Sequence, residues 1–251
     1  MPSTLAVFQP RTFLNKRVHV IDVEDFASEL ISSIDEYFVE ICEGDAGGNL
    51  ATLKKYVKEF IETKDQRTQM GAAAEFFIHL YLKHLGYKQL FTFLNLEEKS
   101  IKKGFDGYYT LSDETWIMES KSGSINTQNI SHPSKIREAY DDLIKKFRGN
   151  VSNNPWRNAF NHARVVGARN SIKETIRKLS EDFVNSIYPS IDEYNIIPAS
   201  TIFLADSWIE MDVTDFETKM TTTIKEMKCK ELFVICVNKK SLKLFLDYLG
   251  T

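Results

Sequence analysis

Cysteine is scarce: Cys42, Cys229 and Cys236 are the only three in 251 residues. They are too few and too scattered for a disulfide framework, and without a C-x-x-C pair a structural zinc site is not expected. Cys236 lies in an apolar run, residues 232–237, where a cysteine serves as a small core residue. Glycine and proline together number 17, which excludes flexible linkers and collagen-like segments. No apolar run reaches the roughly 18 residues of a transmembrane helix, so none is expected. The opening MPSTLAVFQPRTF lacks a basic start followed by a long apolar stretch. No secretory signal is therefore expected, and the chain reads as cytoplasmic. A GxxxxGK[ST] phosphate loop is missing too, which excludes an ATPase of that class.

What is present suits one globular unit with a sizeable core: 43% hydrophobic, 12% aromatic and 27% charged residues. The formal net charge of −3 argues, taken whole, against a nucleic-acid partner. Counting by segment reverses that inference. Residues 1–75 carry −5, residues 76–130 zero, residues 131–180 +7 and residues 181–251 −5. The basic block includes Lys135, Arg137, Lys145, Lys146, Arg148, Arg157 and Arg164. These residues are expected to meet nucleic-acid phosphates, against the plainer reading of solvated helix faces.

Apolar spacing predicts helices over residues 23–41 and 50–61 after an irregular start. A third helix runs from a cap at Thr68 to Leu85 and is apolar nearly all round, so it should be buried. Strands are expected over 89–96, 105–111 and 115–120, the last two joined as a tight hairpin through residues 112–114. Helices follow over 134–148, 155–168 and 172–187. A strand at 200–205, a helix at 213–228, a strand at 231–237 and a helix at 241–249 complete the chain. The order implies an α/β domain with a mixed sheet, residues 67–251, behind a helical amino-terminal extension, residues 1–66.

The chemistry lies in KGFDGYYTLSDETWIMESKSG, residues 103–123. Glu119 and Lys121 are two apart on an expected strand and so share a face. Hairpin pairing brings Asp106 alongside them. Two carboxylates can hold a hard cation such as Mg²⁺, with Mn²⁺ as the alternative. A lysine beside them can steady developing negative charge or position an attacking water. That set suits phosphodiester hydrolysis. E-x-K alone says little, since it also occurs at Glu62/Lys64, Glu97/Lys99, Glu217/Lys219 and Glu226/Lys228. Three of these lie in helical patterns, where i and i+2 face apart, and Glu97/Lys99 has no preceding hairpin strand with an acid. The plain alternative for Glu119/Lys121 is a strand-end salt bridge.

Asp106, twelve intervening residues, then Glu119-Ser120-Lys121 after a buried helix resembles the PD-(D/E)xK nuclease pattern. The resemblance implies a restriction-endonuclease-like core, a mixed central sheet flanked by helices. It assigns Asp106 and Glu119 to the metal and Lys121 to catalysis. Phe105 stands where the usual proline would precede the first acid. Glu75 matches an accessory catalytic and metal-binding acid on the first core helix, with the metal or Lys121 as its partner. The alternative for Glu75 is an exposed helix residue. A helical start, GAAAEFF, GFDGYY and ESKSG are similar, more narrowly, to the nuclease subunit of the Hachiman anti-phage defence system. That similarity implies a DNA-degrading effector restrained by a partner helicase, with the acidic ends as a docking surface. A sequence-reading restriction endonuclease and an inactive nucleic-acid-binding subunit of the same fold remain the rival readings.

Further along, Asn126, Gln128 and Asn129 read as a polar loop, and His132 with Lys135 and Arg137 as the start of a helix near the site. His162 reads as an interior hydrogen-bonded histidine. His79 and His84, five apart, fall on different helix faces and share no metal.

Overall fold

A computed structural model describes residues 5–44, 47–94 and 104–251, with the side chains of Leu5 and Ala6 left aside. Its frame is a mixed sheet of eight strands. These are β1 (Arg11–Phe13), β2 (Val18–Val23), β3 (Lys88–Gln89), β4 (Gly107–Leu111), β5 (Glu114–Ser124), β6 (Asn195–Phe203), β7 (Glu231–Leu232) and β8 (Val234–Lys239). The spatial order is β1-β2-β8-β6-β5-β4-β3, with β7 against β6. The centre, β2-β8-β6-β5, is parallel, and antiparallel strands complete both edges. All residues of β6 and β8 are buried, as expected of parallel strands covered on both faces.

Helices α1 (Leu5–Phe8), α2 (Ser28–Glu43), α3 (Leu50–Glu62), α4 (Gln66–His84) and α9 (Lys243–Leu249) belong to one face. Their apolar side chains form one core with Ile21, Met118, Ile197 and Val237. The other face carries α5 (His132–Phe147), α6 (Pro155–Val165), α7 (Asn170–Val184) and α8 (Val213–Lys225), around Val20, Ile117, Ile196 and Cys236. The expected cysteine in the core is thus found at Cys236.

Three expectations change. Residues 11–23 are not an irregular start to a helical extension. They form β1 and β2, and β2 pairs in parallel with β8 from the far end of the chain. Four of the six residues in VHVIDV are β-branched, which favours a strand over a helix start. Second, the strand expected over 89–96 shrinks to Lys88–Gln89, and its last two residues lie outside the described ones. Leu90, Phe91 and Phe93 are buried, and only Leu90 adds one more bond to β4, its N–H donating to the Tyr108 carbonyl at 2.7 Å. Here the N–H groups of Phe93 and Leu94 donate to Ile41 and Cys42 carbonyls at the end of α2, 2.8 and 3.1 Å away. The segment satisfies the helix terminus instead of a neighbouring strand. Third, Asp65 rather than Thr68 caps α4, accepting from the Thr68 N–H at 2.9 Å.

The hairpin is tighter than expected. Leu111 pairs with Glu114, leaving Ser112 and Asp113 as a two-residue turn with φ of 49° and 68°. Positive φ at both positions matches the turn whose twist suits antiparallel strands. No helix among the described residues is long and apolar enough to cross a membrane.

Candidate active site

Strand alternation puts Glu119 and Lys121 on the face of β5 that α5 covers, and hairpin register brings in Asp106. Gly107 pairs with Met118, so Asp106, one residue earlier, lies beside Glu119 and Ser120. Its Oδ2 accepts from the Ser120 N–H at 2.8 Å and the Ser120 hydroxyl at 3.0 Å. The approach to Asp106 is fixed by packing. A Cβ on Gly104 would come within 2.3 Å of Pro155 Cα at the start of α6, so only glycine fits. Phe105, in the usual proline position, is buried and meets Trp156 edge-on at 4.9 Å.

Glu119 is 3% exposed and accepts from two ammonium groups. Lys121 donates to Oε1 at 3.0 Å, and Lys146 from α5 donates to Oε2. Lys121 also pairs with Asp142 of α5 at 2.8 Å, and Lys145 takes the other Asp142 oxygen at 2.8 Å. Opposite charges therefore alternate along a chain of contacts between strand and helix: Lys146, Glu119, Lys121, Asp142 and Lys145. Burial, and then the charge of Asp106, hold the Glu119 carboxyl above its ordinary pKa in spite of the two lysines. Burial opposes the charge on Lys121, but Glu119, Asp106 and Asp142 outweigh it and keep that ammonium protonated well above neutrality.

Glu75 lies elsewhere in the arrangement. It is buried on α4, not exposed, and its Oε1 faces His79 Nε2 at 3.3 Å rather than Lys121. His79 Nδ1 is 2.5 Å from the Tyr109 hydroxyl. Burial raises the Tyr109 pKa well above normal, with Glu75 and Asp106 adding to it. The phenol therefore keeps its proton and donates to His79, which donates onward to Glu75. Among the described residues, no three His, Cys, Asp or Glu side chains are grouped to hold a metal ion. The acid set at the strand end is the pair Asp106 and Glu119.

The basic block divides. Lys146 belongs to the site, Lys145 holds Asp142, and Lys135 pairs with Glu138 at 2.6 Å. Arg137 ties α5 to α8 through Glu226 at 2.5 Å and the Thr223 carbonyl at 3.1 Å. Arg148, Arg157 and Arg164 are exposed, Arg164 over the Phe160 ring. His132 is buried, bound to Ser200 Oγ at 2.7 Å and Asn238 Oδ1 at 2.9 Å. A cavity of about 240 Å³ adjoins it, walled by Ile125, Phe216 and Asn238, and Asp106, Glu119 and Lys121 do not line it. His162 is interior, with Nδ1 3.0 Å from Thr92 Oγ1, as expected. His79 and His84 go separate ways, His84 meeting Ser33. Asn126, Gln128 and Asn129 are exposed after β5. Of the other E-x-K pairs, Glu97/Lys99 lies outside the described residues.

Sequence reading missed Asp142 and did not place Lys146 at the site. Their signal is an acid and a base four apart on the helix directly after the E-x-K strand.

The HamA family model matches residues 6–249. The chain belongs to the HamA family. The match takes in β2 near the start and α9 near the end, so it spans the whole sheet and both helical layers. It agrees with the Hachiman similarity carried by GAAAEFF, GFDGYY and ESKSG. Comparison of this HamA-family chain with curated proteins and with solved structures gave no match.

Proposed function

We propose that this HamA-family chain is a metal-dependent DNA nuclease of the PD-(D/E)xK type, acting as a Hachiman defence effector under the restraint of a partner helicase. The observation that carries the reading is the convergence of Asp106, Glu119 and Lys121 at one strand end, with the hairpin register aligning the two acids. The donor set fits a hard divalent cation. Asp106 and Glu119 offer carboxylate oxygens, and Mg²⁺ is commonly held by one or two carboxylates together with waters and substrate phosphate. When bound, such a cation polarises a phosphoryl oxygen and lowers the pKa of a water. The chain's own residues do the rest. Ser120 fixes the orientation of Asp106 through two hydrogen bonds to one oxygen. Lys121, kept charged by Glu119 and Asp142, faces the negative charge that develops on the phosphate. Glu75, reached through His79 and Tyr109, acts as an accessory acid that tunes the surroundings of Asp106. Arg148, Arg157 and Arg164 supply phosphate contacts outside the site.

One observation favours a second reading, an inactive nucleic-acid-binding subunit: both Glu119 oxygens are already met by lysines. Purified protein incubated with linear and circular DNA, with and without Mg²⁺, separates the two. The nuclease reading expects Mg²⁺-dependent loss of both substrates. Glu119→Ala and Lys121→Ala should each remove it while thermal melting shows an intact fold. Degradation unchanged in both variants overturns the site assignment. DNA binding without cleavage, surviving Glu119→Ala, selects the binding subunit. Smearing marks an indiscriminate effector, and discrete fragments mark a sequence-reading enzyme.

A further inference from the structure

The two lysines on Glu119 are held differently. Lys121 is fixed from both sides, by Glu119 at 3.0 Å and Asp142 at 2.8 Å, and comes from the same strand as Glu119. Lys146 reaches across from the last turn of α5. Among the described residues its carboxylate partner is Glu119, and its other neighbour is the Phe105 ring at 5.8 Å. Lys145, next to it, is already committed to Asp142. The Lys146 ammonium therefore meets Glu119 Oε2 as a single charge on a long stem, with one carboxylate partner.

That oxygen belongs to the carboxylate assigned to the metal. Glu119 is almost fully buried, and a buried carboxylate without a counter-charge is costly. A divalent cation and the Lys146 ammonium satisfy the same need at the same group, and close approach of the two is repulsive. Away from Glu119, Lys146 remains in the last turn of α5, and the carbonyl end of a helix favours positive charge.

We propose that Lys146 is a resident counter-ion of the metal position: it holds Glu119 while no divalent cation is bound and must swing away for one to bind. The inference rests on the metal-site reading above and adds a device that sets the metal requirement. Without Lys146 the acid pair would take up a cation more readily. Displacement also puts a free ammonium beside the site, within reach of a phosphate that arrives with the cation.

Mn²⁺ titration of the full-length protein without DNA tests this, followed by calorimetry or by the spin-resonance signal of free Mn²⁺. The proteins are wild type, Lys146→Met, Lys146→Gln, Lys146→Arg and Glu119→Gln. Removing one competing charge is expected to tighten Mn²⁺ binding about ten-fold in Lys146→Met. Lys146→Arg keeps the charge and should stay near wild type, and Glu119→Gln should lose the site. Lys146→Gln is uncharged but can still donate to Glu119, so it carries the test if the methionine variant does not fold. Glu119-dependent binding of equal or weaker affinity in the uncharged variants overturns the counter-ion role and leaves the metal site standing. Binding that does not depend on Glu119 in any of the proteins overturns both.

Discussion

At the residue scale, the chain of alternating charges gives Asp142 a definable task. It does not reach Glu119. It holds Lys121 from the helix side and keeps that ammonium oriented over the strand end. Replacing a residue that orients a site group commonly costs about 10–100-fold. Asp142→Asn should therefore lower kcat by about that range, leave DNA affinity close to wild type and leave melting nearly unchanged. A fall in DNA affinity with kcat intact would make Asp142 a surface charge instead. The sequence made Asp106, Glu119 and Lys121 legible because strand alternation and hairpin register are local rules. Asp142 and Lys146 were not legible as site residues, because their role depends on how α5 lies over β5, which no local pattern states. Lys239 is a second case of that kind. Its Nζ is buried at the end of β8, without a hydrogen-bond partner among the described residues, 4.4 and 4.6 Å from the Phe77 and Phe26 rings. Burial pushes its pKa down to about 7. Between about 7 and the ordinary 10.5 the unfolded chain binds the proton and the folded one does not. Stability therefore rises with pH through that window. Lys239→Met should raise Tm at pH 7, by an amount equivalent to roughly 2–4 kcal/mol, and the gain should fade toward pH 10. A difference between the two proteins that does not vary with pH would refute this account.

Elements are joined at this protein's centre by polar as well as apolar contacts. Ser200 on β6 and Asn238 on β8 both bind His132 at the start of α5. Asn238 Nδ2 donates to Asp22 of β2 at 2.8 Å, and Arg11 of β1 donates to the same carboxylate at 2.8 and 3.1 Å. One chain of hydrogen bonds thus ties four strands' worth of register to the helix that carries Asp142 and Lys146. Burial pushes the His132 pKa down to about 4 against an ordinary 6.5. The folded protein keeps this imidazole neutral, so its contribution is complete above pH 6.5 and is lost as pH falls toward 4. His132→Leu would leave Ser200 and Asn238 without their partner, at a cost of about 2–3 kcal/mol near neutral pH. Its melting temperature should also fall less than wild type's between pH 6.5 and 4. Parallel pH profiles would show that the network does not depend on the imidazole. The element order after residue 66 was legible because long amphipathic helices and apolar strands carry strong periodicity. β1 and β2 were not, since β1 is only three residues long and the parallel partner of β2, residues 234–239, lies at the far end of the chain. Residues 91–94 misled in the opposite sense, being mostly apolar and buried while the N–H groups of Phe93 and Leu94 close α2.

For the whole molecule, a net charge of −3 conceals a basic block of +7 over residues 131–180 between acidic ends. The fold reshapes that block. Lys135 and Lys145 are paired within α5, while Arg137 and Lys146 pair across to the end of α8 and to β5. What remains on the surface past the end of α5 and along α6 is Arg148, Arg157 and Arg164, which are exposed. A charge already paired within the protein releases fewer counterions from DNA than an exposed one. The three exposed arginines, rather than the four paired residues of α5, should therefore dominate the salt dependence. Reversing them together to glutamate is expected to weaken DNA binding strongly and to make the slope of log K against log salt shallower by about 3. Melting should change little, because exposed substitutions away from packed or paired groups are commonly within about 0.5 kcal/mol. Titrations of a labelled duplex at several salt concentrations give the slope, and the Glu119→Gln protein allows them to be run with Mg²⁺ present. An unchanged slope would assign the arginine surface to something other than substrate phosphates. The acidic segments on either side of it in sequence would then be the first place to look for the charge it meets, in a partner or a second copy of the chain.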